Sequence, residues 1–153
     1  MTQDEELGAT ARAIIDSGRY MTLGTADESG LPWVSPVWYA PAEYRQFFWV
    51  SSPDARHSRN IAARSQVSVV IFDSQALIGT GQGVYMSGTA EELAENELER
   101  GIALFSRRSE AHGARGWTRE DVRRPARHRL YRLVASEHFV LTDGDRRTPV
   151  SVE

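Results

Sequence analysis

No cysteine occurs anywhere in the 153 residues, and no lysine either: all 18 basic residues are arginine. The first absence excludes thiol nucleophiles, disulfides and cysteine metal sites. The second excludes a Schiff-base lysine, a Walker A lysine and a lysine general base. No apolar run approaches the roughly 18 residues of a membrane span, and the opening MTQDEELGATARAII is acidic where a secretory signal is basic. These absences predict a soluble, cytoplasmic protein that makes no use of a membrane. The length predicts one domain, residues 1–153, with enough chain to bury a core unaided. No internal repeat or low-complexity tract interrupts it.

What is present reads as short elements. Residues 4–17 place Leu7, Ala11, Ile14 and Ile15 on one helical face, with acids in the first turn and Gly18 just beyond. The period then changes to that of strands. Residues 20–26 and 33–39 flank the turn Asp27-Glu28-Ser29-Gly30 and form a hairpin whose second arm carries Pro36, which predicts an edge or a bulge there. A strand over 46–51 leads into a helix over 55–64 that turns Ile61 and Ala62 inward. Strands follow over 67–72 and 84–90, then a helix over 91–105. The chain closes with strands over 130–134 and 139–142, the latter running into the turn Asp143-Gly144-Asp145. Strands that outnumber the helices inserted between them predict a mainly antiparallel barrel with flanking helices, in preference to a doubly wound α/β sheet.

One stretch concentrates donors for an anion. The strand ending in Ser51-Ser52 feeds a helix whose first turn holds Arg56 and His57, so two hydroxyls, a guanidinium, an imidazole and free helical N–H groups converge. A phosphate monoester fits that set; the alternative is that Ser52 merely caps the helix and the arginines are solvated. The four histidines, His57, His112, His128 and His138, show no ligand spacing, so no metal site is predicted. Of Trp33, Trp38, Trp49 and Trp117, at least half are expected to be ordinary core or interface residues. Residues 107–132 hold nine arginines against three acids. Their acidic neighbour helix and the net charge of −3 favour ion pairing across a dimer over a nucleic-acid surface.

Four segments taken in order carry a resemblance: Trp33-Val34-Ser35-Pro36-Val37-Trp38; Phe48-Trp49-Val50-Ser51-Ser52 through Arg56-His57-Ser58-Arg59-Asn60-Ile61; Gln66-Val67-Ser68-Val69-Val70; and Val84-Tyr85-Met86-Ser87-Gly88-Thr89-Ala90-Glu91-Glu92-Leu93. Over about residues 18–105 the chain resembles the pyridoxamine 5′-phosphate oxidase-like, FMN-binding split-barrel superfamily. The resemblance implies a six-stranded antiparallel split β-barrel and a homodimer with flavin in the grooves between subunits. It also implies an oxidoreductase in which flavin N5 exchanges hydride with a small-molecule substrate. Carried over by position, Val34, Ser35, Pro36 and Val37 would face the flavin ring edge, Ser51 and Ser52 the ribityl phosphate, and Arg56 with His57 would clamp that phosphate. Gln82 would reach the ring. No catalytic residue is implied, because in such proteins the polypeptide orients the substrate and tunes the ring. The chain departs from the family's pattern at His57, where a lysine is usual. It departs again at Tyr39, where the vitamin-processing oxidases hold substrate phosphate with a lysine, and in lacking their C-terminal Arg-Leu-His signature. Only Ser106-Arg107 echoes their helix-end arginine, which argues against the vitamin reaction. The alternatives to FMN are a deazaflavin coenzyme in the same groove, or a flavin- or haem-binding protein without turnover. The excess of aromatic residues on the second and third strands independently predicts a homodimer.

Overall fold

Alternating burial along the strands builds a single curled sheet. The computed structural model describes residues 1–153, in the order α1 (Gln3–Ser17), β1 (Tyr20–Ala26), β2 (Pro32–Trp38), β3 (Ala40–Ala42), β4 (Gln46–Ser51), α2 (Arg56–Ala63), β5 (Gln66–Phe72), β6 (Gly83–Glu92), α3 (Glu95–Ala111), β7 (Arg129–Thr142) and β8 (Arg146–Pro149), with a 3₁₀ turn at Arg119–Val122 before β7. The strand order is β2-β1-β5-β6-β7-β4-β3, with β8 on β7 and every pairing antiparallel. The six longer strands are those of the expected split barrel, and β3 and β8 are short additions. The barrel is split because β2 and β4 lie near each other without pairing. Pro36 accordingly sits on an edge strand, where its missing N–H costs no ladder bond.

The first helix starts with a capping box, in which Thr2 accepts from the Glu5 N–H and Glu5 from the Thr2 N–H. Ala11 and Ile15 dock it on the barrel core, a cluster that includes Met21, Leu23, Val69, Ile71, Val84, Met86 and Leu133. A second, smaller core lies under α3, where Leu98, Ile102 and Phe105 meet Phe48 and Leu130. Strand β4 is therefore buried on both faces, Phe47 and Trp49 in the barrel and Phe48 beneath α3. That corrects the expectation that its aromatic residues are surplus to the barrel: two cores absorb them.

Two boundaries and one buried face differ from the sequence reading. Glu91 and Glu92 continue β6, opposite Arg132 and Tyr131, so α3 begins at Glu95. Residues 129–142 form one strand, accommodated beside β6 by a register shift at Ser87/Gly88. A β-carbon at Gly88 would stand 2.1 Å from the Val134 carbonyl oxygen, so no larger residue fits this close approach. In α2, Ala62 is exposed, and the residues turned inward with Ile61 are Ser58 and Asn60.

Candidate functional site

At the β4–α2 junction the chain makes one tight turn. The Ser52 carbonyl accepts from the Ala55 N–H at 3.2 Å, and Ser52 Oγ accepts from the Asp54 N–H at 3.1 Å. Ser52 is thus not the helix cap. That position falls to Ala55, which offers no side-chain acceptor, so the first N–H groups of α2 have no side-chain cap. Arg56, the first helical residue, has its guanidinium carbon 4.2 Å over the centre of the Trp33 ring and has no acidic partner. His57 Nε2 lies 2.9 Å from Ser51 Oγ. Burial lowers the pKa of His57, which keeps the ring neutral at pH 7. Ser51, Ser52, Arg56 and His57 therefore share one turn, with the dipole of α2 and two hydroxyls pointing to the same anion chemistry.

A buried polar link holds this turn against the sheet. Asn60 Nδ2 donates to Thr25 Oγ1 at 3.0 Å, and Thr25 Oγ1 donates to the Trp33 carbonyl at 3.4 Å. Helix α2 is thereby tied through β1 to the residue beneath Arg56. Asn60 was not singled out in the sequence, where an asparagine in a helix resembles any surface position.

The other sequence candidates lie on two different elements. Val34 and Pro36 are exposed on β2, Val37 is buried, and Ser35 is intermediate. Since β2 pairs only with β1, its outer edge keeps backbone groups free within the chain. Gln82 is elsewhere. Its Nε2 donates to the Leu141 carbonyl, and its Oε1 accepts from the N–H groups of Leu141 and Gly83, each at 2.9 Å, which joins the ends of β6 and β7. In the strand order β5 and β1 lie between β6 and β2, so Gln82 stands apart from the β2 candidates across the sheet. The structure does not bring Gln82 to the other candidates within this chain.

Beside the junction is a cavity of ≈ 480 Å³ that the sequence reading missed. Val50, one residue before Ser51, and Trp38, one residue after Val37, belong to its wall. Trp38 meets Phe105 and His112 edge-on, with centroids 5.1 and 5.4 Å apart, and Phe105 meets Trp117 at 5.6 Å. Arg115 lies 3.6 Å over the Trp117 ring. Burial, and after it Arg108 and Arg19, lowers the pKa of His112, whose Nδ1 is buried without a partner. The residues come from positions 19 to 128, so no local motif announces the cavity. Of the four tryptophans, Trp49 is core, stacked on Tyr131, while Trp38 and Trp117 line this cavity and Trp33 sits under Arg56.

A larger trough of ≈ 770 Å³ runs over the outer sheet face past Gly24, Val34, Ser68, Ser87 and Val134. No ionisable side chain lines it, which suits packing better than chemistry. Four of the nine arginines of the basic segment are paired within the chain: Arg132 with Glu91 and Glu97, Arg123 with Glu95 and Glu120, Arg119 with Glu99 and Glu120, and Arg115 with Asp121; Arg107, Arg108, Arg124, Arg127 and Arg129 have no acidic partner. No group of three or more His, Asp or Glu stands ready for a metal ion, and no helix is long and apolar enough to cross a membrane.

The sequence profile described as pyridoxamine 5′-phosphate oxidase matches residues 7–140. No curated protein matches the chain. Among solved structures, a haem-binding protein from Mycobacterium smegmatis is similar with a TM-score of 0.72 and 20% identity, over 95% of this chain and 58% of that one. HutZ, the haem storage protein from Vibrio cholerae, is similar with a TM-score of 0.68 and 17% identity, over 96% and 99%. A Clostridium acetobutylicum protein related to general stress protein 26 of B. subtilis, of the pyridoxinephosphate oxidase family, gives 0.68 and 12%, over 97% and 96%. At such identities the likeness is one of fold, and the chain spans little more than half of the Mycobacterium smegmatis protein.

Proposed function

Because this chain belongs to the pyridoxamine 5′-phosphate oxidase family, we propose that it is an FMN-dependent oxidoreductase acting on a small molecule, with the flavin phosphate at the β4–α2 junction. The observation that carries the reading is the uncapped start of α2, with an arginine free of acidic partners and two serine hydroxyls on the same turn. The donor set fits a phosphate. Ser51, Ser52, Arg56 and His57 would hold it, and the ring would run along the free edge of β2 at Val34, Ser35, Pro36 and Val37. FMN bound there supplies hydride exchange at N5, and the chain's part is to bind, orient and exclude water. In a homodimer the outer trough would be covered. Exposed Val34, Phe72 and Val134, and Trp33 at 41% exposure, give that face the apolar surface a partner needs.

Purification tests the reading. The expected result is a yellow protein with a flavin spectrum and a light-scattering mass near twice 17.1 kDa. A colourless protein that binds deazaflavin but not FMN would move the groove to that coenzyme. A Soret band without flavin would assign the groove to haem, and a monomer would remove the proposed interface.

His57 makes the clamp sensitive to pH. In the free protein its pKa is lowered by burial, so the ring is neutral at pH 7, whereas a phosphate beside it favours the imidazolium. Binding then takes up a proton, and FMN affinity is expected to fall a few-fold as pH rises from about 6 to 8. The second ionisation of the phosphate, near pH 6, acts in the opposite sense and is subtracted with a His57→Arg control, whose clamp charge does not titrate. His57→Gln should flatten the curve and weaken binding at pH 6. If wild type and His57→Gln titrate identically, His57 does not touch the phosphate.

A further inference from the structure

The cavity beside the junction differs in chemistry from the junction itself. Trp38, Phe105 and Trp117 give it aromatic walls, and no carboxylate lines it. Arg19 has no acidic partner. The one acid near Arg115 is Asp121 at 3.6 Å, and that carboxylate oxygen already accepts from Thr118 N and Oγ1 at 2.8 and 3.1 Å. Two loosely compensated guanidinium groups therefore face an aromatic space large enough for one or two fused rings. His112 adds no charge, because burial and the neighbouring arginines keep it neutral.

Of the groups that could grip a bulkier phosphate, Tyr39, Arg108 and Ser106 are committed elsewhere, and Arg107 is exposed and does not line the cavity. The Tyr39 hydroxyl donates to the Ile15 carbonyl at 2.7 Å, and Arg108 Nη2 donates to the Gly18 carbonyl at 2.8 Å, so both serve the end of α1. Ser106 Oγ accepts from the Trp117 N–H at 2.8 Å and donates to Glu110. What remains is a planar fork, Arg115, 3.6 Å over an indole, with Arg19 lining the same cavity. The fork can meet a carboxylate through two parallel N–H···O bonds, and the aromatic walls beside it suit a flat ring joined to that group. Resting on the flavin reading above, we propose that this cavity binds the substrate and that the substrate is a planar aromatic monocarboxylate. Its ring lies against Trp38 and Trp117, and its carboxylate meets Arg19 and Arg115.

The test uses three probes of one shape, 2-naphthoate, 2-naphthamide and 2-naphthyl phosphate, titrated by calorimetry into the full-length protein with and without saturating FMN. Naphthoate is expected to bind at least tenfold more tightly than the amide and more tightly than the phosphate ester. Arg19→Gln and Arg115→Gln should each lose about tenfold for naphthoate while FMN affinity stays within twofold. Both side chains are on the surface, so thermal melting should be unchanged. Equal binding of naphthoate and naphthamide, tighter binding of the phosphate ester, or indifference of both arginine variants would overturn the proposal. The two readings fail separately. FMN binding with no preference for naphthoate removes the carboxylate cavity and leaves the flavin site. Arginine-dependent naphthoate binding in a protein that does not take FMN leaves the cavity and removes the flavin site.

Discussion

Arg56→Ala should weaken FMN binding by about 1.5–3 kcal/mol, roughly ten- to 150-fold, and leave riboflavin affinity nearly unchanged. The asymmetry follows from where the guanidinium sits. Arg56 opens α2, makes no ion pair, and rests on Trp33 through a cation–π contact that at an exposed site contributes only about 0.5–1 kcal/mol. Removing it costs the fold little and takes from the phosphate the one permanent charge of the Arg56–His57 clamp, since His57 is neutral in the free protein. Riboflavin lacks the phosphate and so reports everything Arg56 does through structure. Arg56→Lys should lie between, because it keeps the charge and loses the fork and the flat contact with Trp33. Equal losses for FMN and riboflavin would place Arg56 in the scaffold and not in the clamp.

The difference between what could be read in the sequence and what could not lies in the range of the contacts. The β4–α2 junction was legible because its donors are consecutive residues, and a strand end running into a helix start has the same local consequences in any fold. The boundary of α3 was not. Residues Glu91 and Glu92 have helix-forming side chains, but Arg132 and Tyr131 stand opposite them and hold them in the sheet. The polar run Ser136-Glu137-His138 looked like a break between two strands. In β7 it stays extended because Ser87 and Glu137 meet across the pair at 2.7 Å and His138 Nε2 bonds the Tyr44 carbonyl, a partner 94 residues away. Gln82 was legible as a glutamine near a glycine-rich loop, but its amide is consumed by Leu141, 59 residues on. The aromatic cavity was invisible for the same reason. It exists only once β2, β4, α3 and the segment before β7 are assembled.

Tyr39→Lys should destabilise the protein by about 3–5 kcal/mol without creating a phosphate grip, although this is the position where the family resemblance puts a substrate-holding lysine. Strand β2 ends one residue earlier, and Tyr39 turns into the barrel core with 0% exposure. Burial raises its pKa, so its hydroxyl stays protonated as the donor to Ile15. An ammonium there would be stripped of water and would face Arg108, whose guanidinium carbon is 5.4 Å from the present ring. Tyr39→Phe separates the two contributions: it keeps the ring, leaves the Ile15 carbonyl without its partner, and should cost about 1–3 kcal/mol. The remainder in Tyr39→Lys is the charge, and it carries a pH signature. A buried lysine has a folded-state pKa below its unfolded value, so its penalty is full at neutral pH and is lost as pH rises through that lowered pKa towards the unfolded value near 10.4. Urea denaturation at pH 7 and at pH 10 should therefore show the gap between Tyr39→Lys and Tyr39→Phe closing at the higher pH. A lysine variant as stable as wild type at pH 7, and newly able to bind a phosphorylated aromatic ligand, would mean that residue 39 can swing out of the core into the groove.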